Sequence, residues 1–141
     1  GAKGRIMNAT ISDYMATELV CFAPDDDIVE AMRILLERGF SGAPVVDGQG
    51  KLCGILSQKD CFEIIYRTAY HQDWGGQVQQ YMSREIEHLS ADCSVVEAAE
   101  KFLGSSYRRF PVLRDGNLVG LICRHDILSA LDEIYLRSGS R

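Results

Sequence analysis

The chain has 141 residues, of which 46% are hydrophobic and 25% are charged, and its formal net charge is −5. These values are typical of one globular domain, or of two small units that share a core, and a chain of this length needs no disulfide or metal for stability. The acidic balance argues against general binding to nucleic acids or acidic membranes, but it is compatible with a local basic pocket.

The chain contains no apolar run that could cross a membrane, and residues 1–13 lack the apolar segment of a secretory signal. We therefore expect a cytoplasmic protein without membrane or nucleic-acid partners. The cysteines are odd in number, scattered and free of C-x-x-C pairs, which predicts reduced, mostly buried thiols and no metal site. They are Cys21, Cys53, Cys61, Cys93 and Cys123.

Two long stretches of the chain repeat one sequence pattern. Tyr14-Met15 returns as Tyr81-Met82, and Asp60 returns as Asp126, so the spacing is 67 residues in the first case and 66 in the second (81 − 14 and 126 − 60). One residue is missing from a turn in the second copy. Self-similarity at a long, nearly fixed period predicts a repeated structural unit.

The first copy predicts the element order β-α-β-β-α. Asp27 is placed as a helix N-cap, with Glu30 three residues later, and Gly39 ends the apolar helical pattern. A short helix capped by Ser12, over residues 13–15, is expected to precede this unit. The other predicted elements are a strand at 19–22, hairpin strands at 43–46 and 52–56, and a helix that begins near Ser57 and continues through residue 65.

The second copy predicts the same elements. Ser94 and Glu97 form a capping box at the start of a helix, after a strand at 86–89. Hairpin strands follow at 110–113 and 118–122. Because helices of one unit cannot cover both faces of its sheet, the two units are expected to pack sheet to sheet as one α+β body with pseudo-two-fold symmetry. The last helix is expected to carry one apolar face made of Ile127, Leu128, Leu131, Ile134 and Tyr135.

Each copy contains an acidic helix start, an h-P-V strand (h is an apolar residue) and the motif G-h-h-[ST]-x-x-D, with a departure in the second copy. This ordered set, present twice, resembles a tandem pair of CBS domains, or Bateman module, and is most similar to small stand-alone bacterial CBS-domain proteins. The expected division is an N-terminal extension at 1–12, CBS repeat 1 at 13–68, a connector at 69–79, CBS repeat 2 at 80–137 and a tail at 138–141.

The resemblance implies a regulatory module rather than an enzyme. Such modules bind adenosine nucleotides (AMP, ADP or ATP) or a related adenosyl ligand in clefts between the two copies, and the nucleotide is a regulatory ligand, not a required cofactor. A ligand-free dimeric adaptor for protein interaction is the alternative. No nucleophile with its base, metal cluster or Walker-type loop favours catalysis. A thiol sensor would need an exposed cysteine of low pKa.

The first copy of the motif ends at a strand-to-helix corner that includes Ser57, Lys59 and Asp60. The resemblance implies that Ser57 contacts phosphate or ribose, that Asp60 accepts hydrogen bonds from ribose hydroxyls, and that Ala43-Pro44 and the 19–22 strand flank the base. A helix N-terminus favours phosphate, and a carboxylate supplies acceptors. The alternative is structural, because Ser57-x-x-Asp60 is also a capping box.

The second corner departs from the pattern, because Cys123 replaces the hydroxyl residue ahead of Asp126. Arg108 and Arg109 precede Phe110-Pro111, and Arg124 and His125 follow Cys123, so a basic cluster is expected here. Arginine binds phosphate bidentately, which favours a phosphate-bearing ligand. The alternative is a solvated face whose cations pair with acidic side chains. The candidate partners are Glu97, Glu100 and Asp115.

The connector carries aromatic residues at every fourth position, namely Phe62, Tyr66, Tyr70 and Trp74. This spacing predicts a stripe on a continuing helix that Gly75-Gly76 ends. The stripe either packs over its own domain or forms a partner surface, since aromatics are enriched at interfaces. CBS pairs commonly dimerise through helices, so we expect a homodimer. The sequence does not identify a regulated protein partner.

Overall fold

The structure is a computed structural model that describes residues 1–71 and 75–137. The helices and strands form an α+β fold, as predicted. The helices are α1 (Ala2–Asn8), α2 (Ile28–Arg38), α3 (Phe62–His71), α4 (Val95–Leu103) and α5 (Arg124–Leu131), and the strands are β1 (Gly42–Val46), β2 (Leu52–Ser57), β3 (Leu89–Ser90), β4 (Arg109–Arg114) and β5 (Asn117–Cys123). Short 3₁₀ turns occur at Ile11–Asp13 and Val78–Gln80, and a π-helical turn at Asp132–Arg137.

The described residues form two compact units. One combines residues 1–19 with residues 87–137, and the other is the described part of residues 20–86. We call the second the serine unit, after Ser57 at its strand-to-helix corner, and the first the cysteine unit, after Cys123 at the equivalent position. Compactness and sequence repetition are different properties, so the repeat boundaries given above stay a prediction.

The serine unit is built on α2 and the β1–β2 hairpin. The Asp27 side chain accepts a hydrogen bond from the Glu30 N–H at 2.9 Å, and Gly39 ends α2 in the left-handed region at φ 67°. β1 and β2 are antiparallel. The helix and hairpin bury one apolar core because the helical and strand periodicities place apolar residues on facing sides. Its fully buried members include Ile28, Leu35, Val45 and Leu56.

The predicted strand at 19–22 is wrong, because only Phe22 pairs with the hairpin. The Phe22 N–H donates to the Pro44 carbonyl, and the Phe22 carbonyl accepts from the Val46 N–H, both at 2.9 Å. A parallel ladder running back towards residue 20 would need the N–H of residue 44, which proline lacks. The proline of the h-P-V motif therefore limits the pairing, and the serine unit has a two-stranded sheet.

The cysteine unit has a three-stranded sheet in which β3 is parallel to β4 and β4 is antiparallel to β5. α4 begins with the predicted capping box: the Glu97 N–H donates to Ser94 Oγ at 3.0 Å, and the Ser94 N–H donates to Glu97 Oε1 at 3.2 Å. The core of this unit includes Ile11, Ala98, Phe110, Val112 and Ile122.

Each hairpin has its outer strand covered by the segment that follows a Tyr-Met pair. Ser83 exchanges two backbone hydrogen bonds with Ile55, at 2.9 and 3.0 Å, and Ala16 does the same with Leu121 in the cysteine unit. This pairing protects strand edges that would otherwise be open. The Tyr-Met pair that opens one sequence repeat thus packs with the hairpin of the other repeat.

The repeated glycine of the corner motif makes room for this packing. A Cβ at Gly54 would lie 2.8 Å from the Ser83 carbonyl oxygen and 2.9 Å from Met82 Cγ. A Cβ at Gly120 would lie 2.9 Å from the Ala16 carbonyl oxygen and would also overlap the Met15 side chain. Real Cβ atoms do not come this close, so the docked segment and the glycine require one another.

Two predicted helices differ in detail. The helix predicted at 13–15 with a Ser12 cap is instead the 3₁₀ turn Ile11–Asp13 with Thr10 before it, because Ile11 is buried and its N–H donates to the Cys93 carbonyl at 3.0 Å. The last helix buries Ala130 and Ile134, whereas Leu128 and Leu131 are exposed, so the predicted single apolar face is wrong. The change to a π-helical turn at residue 132 shifts the residues that face the core.

Candidate functional site

The serine corner, residues 57–60, joins β2 to α3. Ser57 is the last residue of β2 and lies opposite Gly42 in the ladder. The helix predicted to begin near Ser57 begins at Phe62, because successive i to i+3 hydrogen bonds, such as Cys61 N–H to the Gln58 carbonyl at 3.1 Å, form tight turns first. The corner is therefore a tight, internally bonded loop.

Ser57 and Asp60 bond one another reciprocally. The Ser57 N–H donates to Asp60 Oδ2 at 2.9 Å, and the Asp60 N–H donates to Ser57 Oγ at 3.1 Å. The reciprocal bonds of the predicted capping box are therefore present, although α3 itself begins only at Phe62. The box uses only one carboxylate oxygen, and within residues 1–71 and 75–137 Asp60 Oδ1 has no hydrogen-bond partner. Both side chains are half-buried, so the free oxygen is held in a fixed place and remains reachable.

The start of β1 is fixed to this corner by Gln58. Its side-chain amide donates to the Phe40 carbonyl at 2.7 Å, and its N–H donates to the Ser41 carbonyl at 2.8 Å. Ala43 and Pro44 follow in β1 and are buried beside the bridge to Phe22. Lys59 is exposed, and the described part of the chain shows no ion pair for it.

The cysteine corner, residues 123–126, repeats the cap without the intervening turns. The Cys123 N–H donates to Asp126 Oδ2 at 2.9 Å, and Cys123 Sγ lies 3.3 Å from the same oxygen. α5 begins at once with Arg124. As at Asp60, the second carboxylate oxygen of Asp126 has no partner among the described residues.

The ladder places Arg109 directly opposite Cys123. Arg109 is exposed, as are the other basic residues of the cluster, Arg108, Arg124 and His125. Among residues 1–71 and 75–137 none of the four forms an ion pair, so the predicted pairing with acidic side chains is not seen there, whereas their exposure agrees with the predicted solvated face. Ion pairs of the cysteine unit include Arg114 with Asp92 at 3.4 Å and Lys101 with Glu87 at 3.3 Å.

Phe110 and Pro111, two further predicted site residues, are fully buried in β4. The Phe110 ring packs against Phe102 at a centroid distance of 4.9 Å and against Tyr107 at 5.6 Å. Aromatic pairs at these distances contribute to core stability. In this structure Phe110 therefore supports the strand that carries Arg109.

A family model for the CBS domain matches residues 11–67 and 78–133. The chain belongs to the CBS-domain family. The two matches correspond to the two copies of the sequence pattern, and each contains one of the corners described above.

Relatives of this CBS pair include both small and large proteins. The CBS domain-containing protein YhcV of Bacillus subtilis (strain 168) is 28% identical over 119 residues, which are 84% of this chain and 83% of that protein. The A-adding tRNA nucleotidyltransferase of Aquifex aeolicus (strain VF5) is 30% identical over 131 residues, which are 93% of this chain and 15% of that protein. This chain thus spans only a small part of the nucleotidyltransferase.

Solved CBS-pair structures share the fold. CBSX2 in complex with AMP is 25% identical, with a TM-score of 0.77 over 89% of this chain and 98% of that chain. A structure of CBSX2 from Arabidopsis thaliana has a TM-score of 0.73 at 24% identity, over 90% of this chain and 96% of that one. CbpB in complex with c-di-AMP has a TM-score of 0.79 at 20% identity, over 94% of this chain and 91% of that one, a likeness of fold alone.

The thiols of this CBS pair are free, and only Cys61 is buried, so the expectation that most are buried is wrong. Burial nevertheless raises the pKa of four of them, with a further contribution from nearby carboxylates at three of those four. A raised pKa keeps a thiol protonated and unreactive at neutral pH, which disfavours a thiol sensor at these positions. The four are Cys21, Cys53, Cys61 and Cys93.

Residues 1–71 and 75–137 contain no group of three or more His, Cys, Asp or Glu side chains that could hold a metal ion. In the same part of the chain, no helix has the length and apolar character needed to cross a membrane.

Gln58 was not predicted from the sequence as a residue of the candidate site. It occupies a variable position of the CBS corner motif, and nothing in its own spacing marks it. A comparison of the two sequence repeats could have indicated it, because the equivalent residue in the second repeat is Arg124 of the basic cluster. Its role depends on two carbonyls at residues 40 and 41, which only the folded structure brings near.

Proposed function

We propose that the chain is a regulatory module that binds an adenine nucleotide of the AMP, ADP or ATP type at its strand-to-helix corners. This proposal rests on the different roles of the two carboxylate oxygens of Asp60. Oδ2 is fixed by the Ser57 N–H, and Oδ1 has no partner in the part of the chain that the structure describes. A fixed, unused carboxylate oxygen is suited to accept hydrogen bonds from ribose hydroxyls.

Ser57 and Lys59 supply the complementary groups for phosphate. Ser57 Oγ accepts from the Asp60 N–H, so its own hydroxyl hydrogen remains available to donate to a phosphate oxygen. Lys59 is an exposed cation next to it. The adenine would lie on the apolar side of the corner, formed by Ala43, Pro44 and the segment that ends at Phe22.

The family relation supports an adenosine-containing ligand. The AMP complex of CBSX2 is similar to this chain at 25% identity and over most of both chains. A ligand that binds only the folded state stabilises that state, so nucleotide binding is measurable as a rise in melting temperature. The identity of the regulated protein lies outside this proposal.

The test uses Asp60→Asn, which keeps an oxygen for the Ser57 N–H but replaces the free acceptor by an NH₂ donor. AMP at about 100 times its Kd should stabilise the wild-type fold by about 2.7 kcal/mol. This corresponds to a rise in melting temperature of about 5–10 °C. Asp60→Asn should lose most of that rise, while its melting temperature without ligand stays within about 2 °C of wild type.

Asp25→Asn is the matched control, because it removes the same charge at an exposed position outside the corner. It should keep the full AMP shift. A lower melting temperature without ligand, combined with an intact AMP shift, would show that Asp60 is only a helix cap and would remove the site assignment.

A ligand-free dimeric adaptor is the second candidate, and the outer face of α3 favours it. Phe62, Ile65, Tyr66 and Tyr70 are all exposed there, and Tyr70 is 74% exposed. The rings of Tyr66 and Tyr70 lie 5.0 Å apart, as the predicted stripe requires, while Trp74 lies outside the described residues. Neighbouring exposed apolar side chains are typical of an interaction surface.

We propose a second copy of the chain as the partner of this face. Sedimentation velocity at tens of micromolar should show a dimer, since a Kd near 1 μM gives mostly dimer at this concentration. Tyr70→Glu should shift the population towards monomer, and Leu103→Glu, which changes an exposed apolar residue of the other unit, should not. A wild-type chain that sediments only as monomer would exclude the dimer. The adaptor hypothesis is supported if the dimer forms but AMP, ADP and ATP all fail to bind.

A further inference from the structure

The two corners differ most in their basic side chains. The cysteine corner carries three guanidinium groups beside the imidazole of His125, whereas the serine corner carries one ammonium group, in a chain whose formal net charge is −5 with histidine counted as neutral. The equivalent residues are Arg108 and Ser41, Arg109 and Gly42, Arg124 and Gln58, and His125 and Lys59.

Two of the arginines flank the start of α5. Arg109 faces Cys123 across the antiparallel ladder, where opposite Cβ atoms are about 4.5–5.5 Å apart. Arg124 is the first residue of α5, where backbone N–H groups lack partners within the helix. Both side chains are exposed and form no ion pair among the described residues, so they remain available to a ligand.

The serine corner cannot hold the same groups without moving. A Cβ at Gly42 would lie 3.0 Å from the Leu56 carbonyl oxygen and 3.3 Å from Ser57 Cα. At the position of Arg124, the Gln58 side chain is already bonded to the Phe40 carbonyl at 2.7 Å. The difference in charge is therefore built into the backbone spacing and hydrogen bonds of each corner.

We infer that the cysteine corner binds the phosphate chain of a nucleoside di- or triphosphate, and that the serine corner takes a ligand with fewer phosphates. Each added phosphoryl group adds negative charge and acceptor oxygens, and arginine binds such groups bidentately. Cys123 offers little in return, because its thiol is a weak donor that already faces Asp126 Oδ2 at 3.3 Å. This inference rests on the proposed function, since it assigns different ligands to the two corners of one nucleotide-binding module.

Calorimetric titrations with three probes test it: AMP, ATP and inorganic tripolyphosphate. Arg109→Ala should weaken ATP and tripolyphosphate binding at least about tenfold, the loss of one charge-assisted hydrogen bond. It should change AMP affinity by less than about threefold. Added salt should weaken ATP and tripolyphosphate more than AMP, because exposed charges are screened.

Arg114→Ala is the matched control. Arg114 ends the strand that Arg109 begins, and the substitution removes the same charge, but its guanidinium is paired with Asp92 at 3.4 Å. Affinity for all three probes should stay within about threefold of wild type. Arg124→Ala is the second test variant and should act like Arg109→Ala. The melting temperature of each variant without ligand verifies that it is folded.

The outcomes separate this inference from the proposed function. Tripolyphosphate binding that Arg109→Ala weakens supports the basic subsite even if AMP fails to bind. The subsite is overturned if AMP binds but Arg109→Ala and Arg114→Ala lower the affinities for ATP and tripolyphosphate equally. The serine corner then remains as the nucleotide site. Equal affinities for AMP and ATP in the Asp60→Asn variant overturn the subsite as well.

Discussion

The serine and cysteine corners share one capping device and differ in what surrounds it. In both, a backbone N–H at the end of a strand donates to the Oδ2 atom of an aspartate three residues later, at 2.9 Å. The serine corner then passes through tight turns before α3, whereas α5 follows the cysteine corner directly. The shared bond limits the rotation of the aspartate, and the residues at the opposite position of the ladder, Gly42 and Arg109, differ in charge.

This comparison shows why the capping and binding interpretations of the motif are compatible. A carboxylate has two oxygens, and the cap uses one of them in each corner. The cap limits the rotation of the side chain, so a ligand would not have to fix it at additional entropic cost. One carboxylate can therefore serve both as a cap and as the ligand contact that we propose.

The largest expected effect concerns equivalent core positions in the two units. Leu56 and Ile122 are both fully buried. Leu56→Ala and Ile122→Ala should each lower the free energy of unfolding by about 2–5 kcal/mol. Urea denaturation measures the cost, and Leu103→Ala, at a side chain that is 88% exposed, should stay within about 0.5 kcal/mol of wild type. A cost below about 1 kcal/mol in only one unit would show that the two cores are not equivalent.

The next effect concerns the glycines that accept the Tyr-Met segments. Gly54→Ala and Gly120→Ala should each cost about 1–3 kcal/mol, because the new Cβ would overlap a backbone oxygen that cannot move alone. Gly48→Ala is the control, since a Cβ there would meet nothing within 4 Å. Chemical denaturation again gives the comparison. If both corner variants are as stable as Gly48→Ala, the segments do not dock as described.

A smaller effect is expected from substitutions that exchange the capping residues of the two corners. Serine is a preferred N-cap residue, and cysteine is a weaker hydrogen-bonding substitute. Cys123→Ser should therefore raise the free energy of unfolding by about 0.5–1 kcal/mol, and Ser57→Cys should lower it by a similar amount. Thermal melts of the two variants measure the effects. Changes of the same sign in both would contradict a shared capping role.

Much of the fold was predictable because local patterns specify local structure. The capping box at Ser94, the Gly39 stop and both hairpins follow from residue chemistry that needs no distant partner. The predicted strand at 19–22 failed because its pairing depends on a proline on another strand. The packing of each Tyr-Met segment with the hairpin of the other repeat was also not predicted, because each repeat was considered as a separate unit.

The candidate site was predictable in its residues but not in its bonding. The repeated motif identified Ser57, Asp60 and Asp126, and the position of Arg109 opposite Cys123 follows from the hairpin register. The sequence could not predict which Asp60 oxygen is hydrogen-bonded and which has no partner among the described residues, because this depends on side-chain torsions within the turn. That the basic cluster forms no ion pair among the described residues could not be predicted either, because it depends on the positions of acidic side chains in the folded structure.

The most direct test of the central claim is a crystal structure of the chain with AMP. Asp60 Oδ2 should keep its bond to the Ser57 N–H, and Oδ1 should lie about 2.5–3.0 Å from a ribose hydroxyl oxygen. A complex in which AMP binds elsewhere, or in which Asp60 Oδ1 contacts only solvent, would contradict the account.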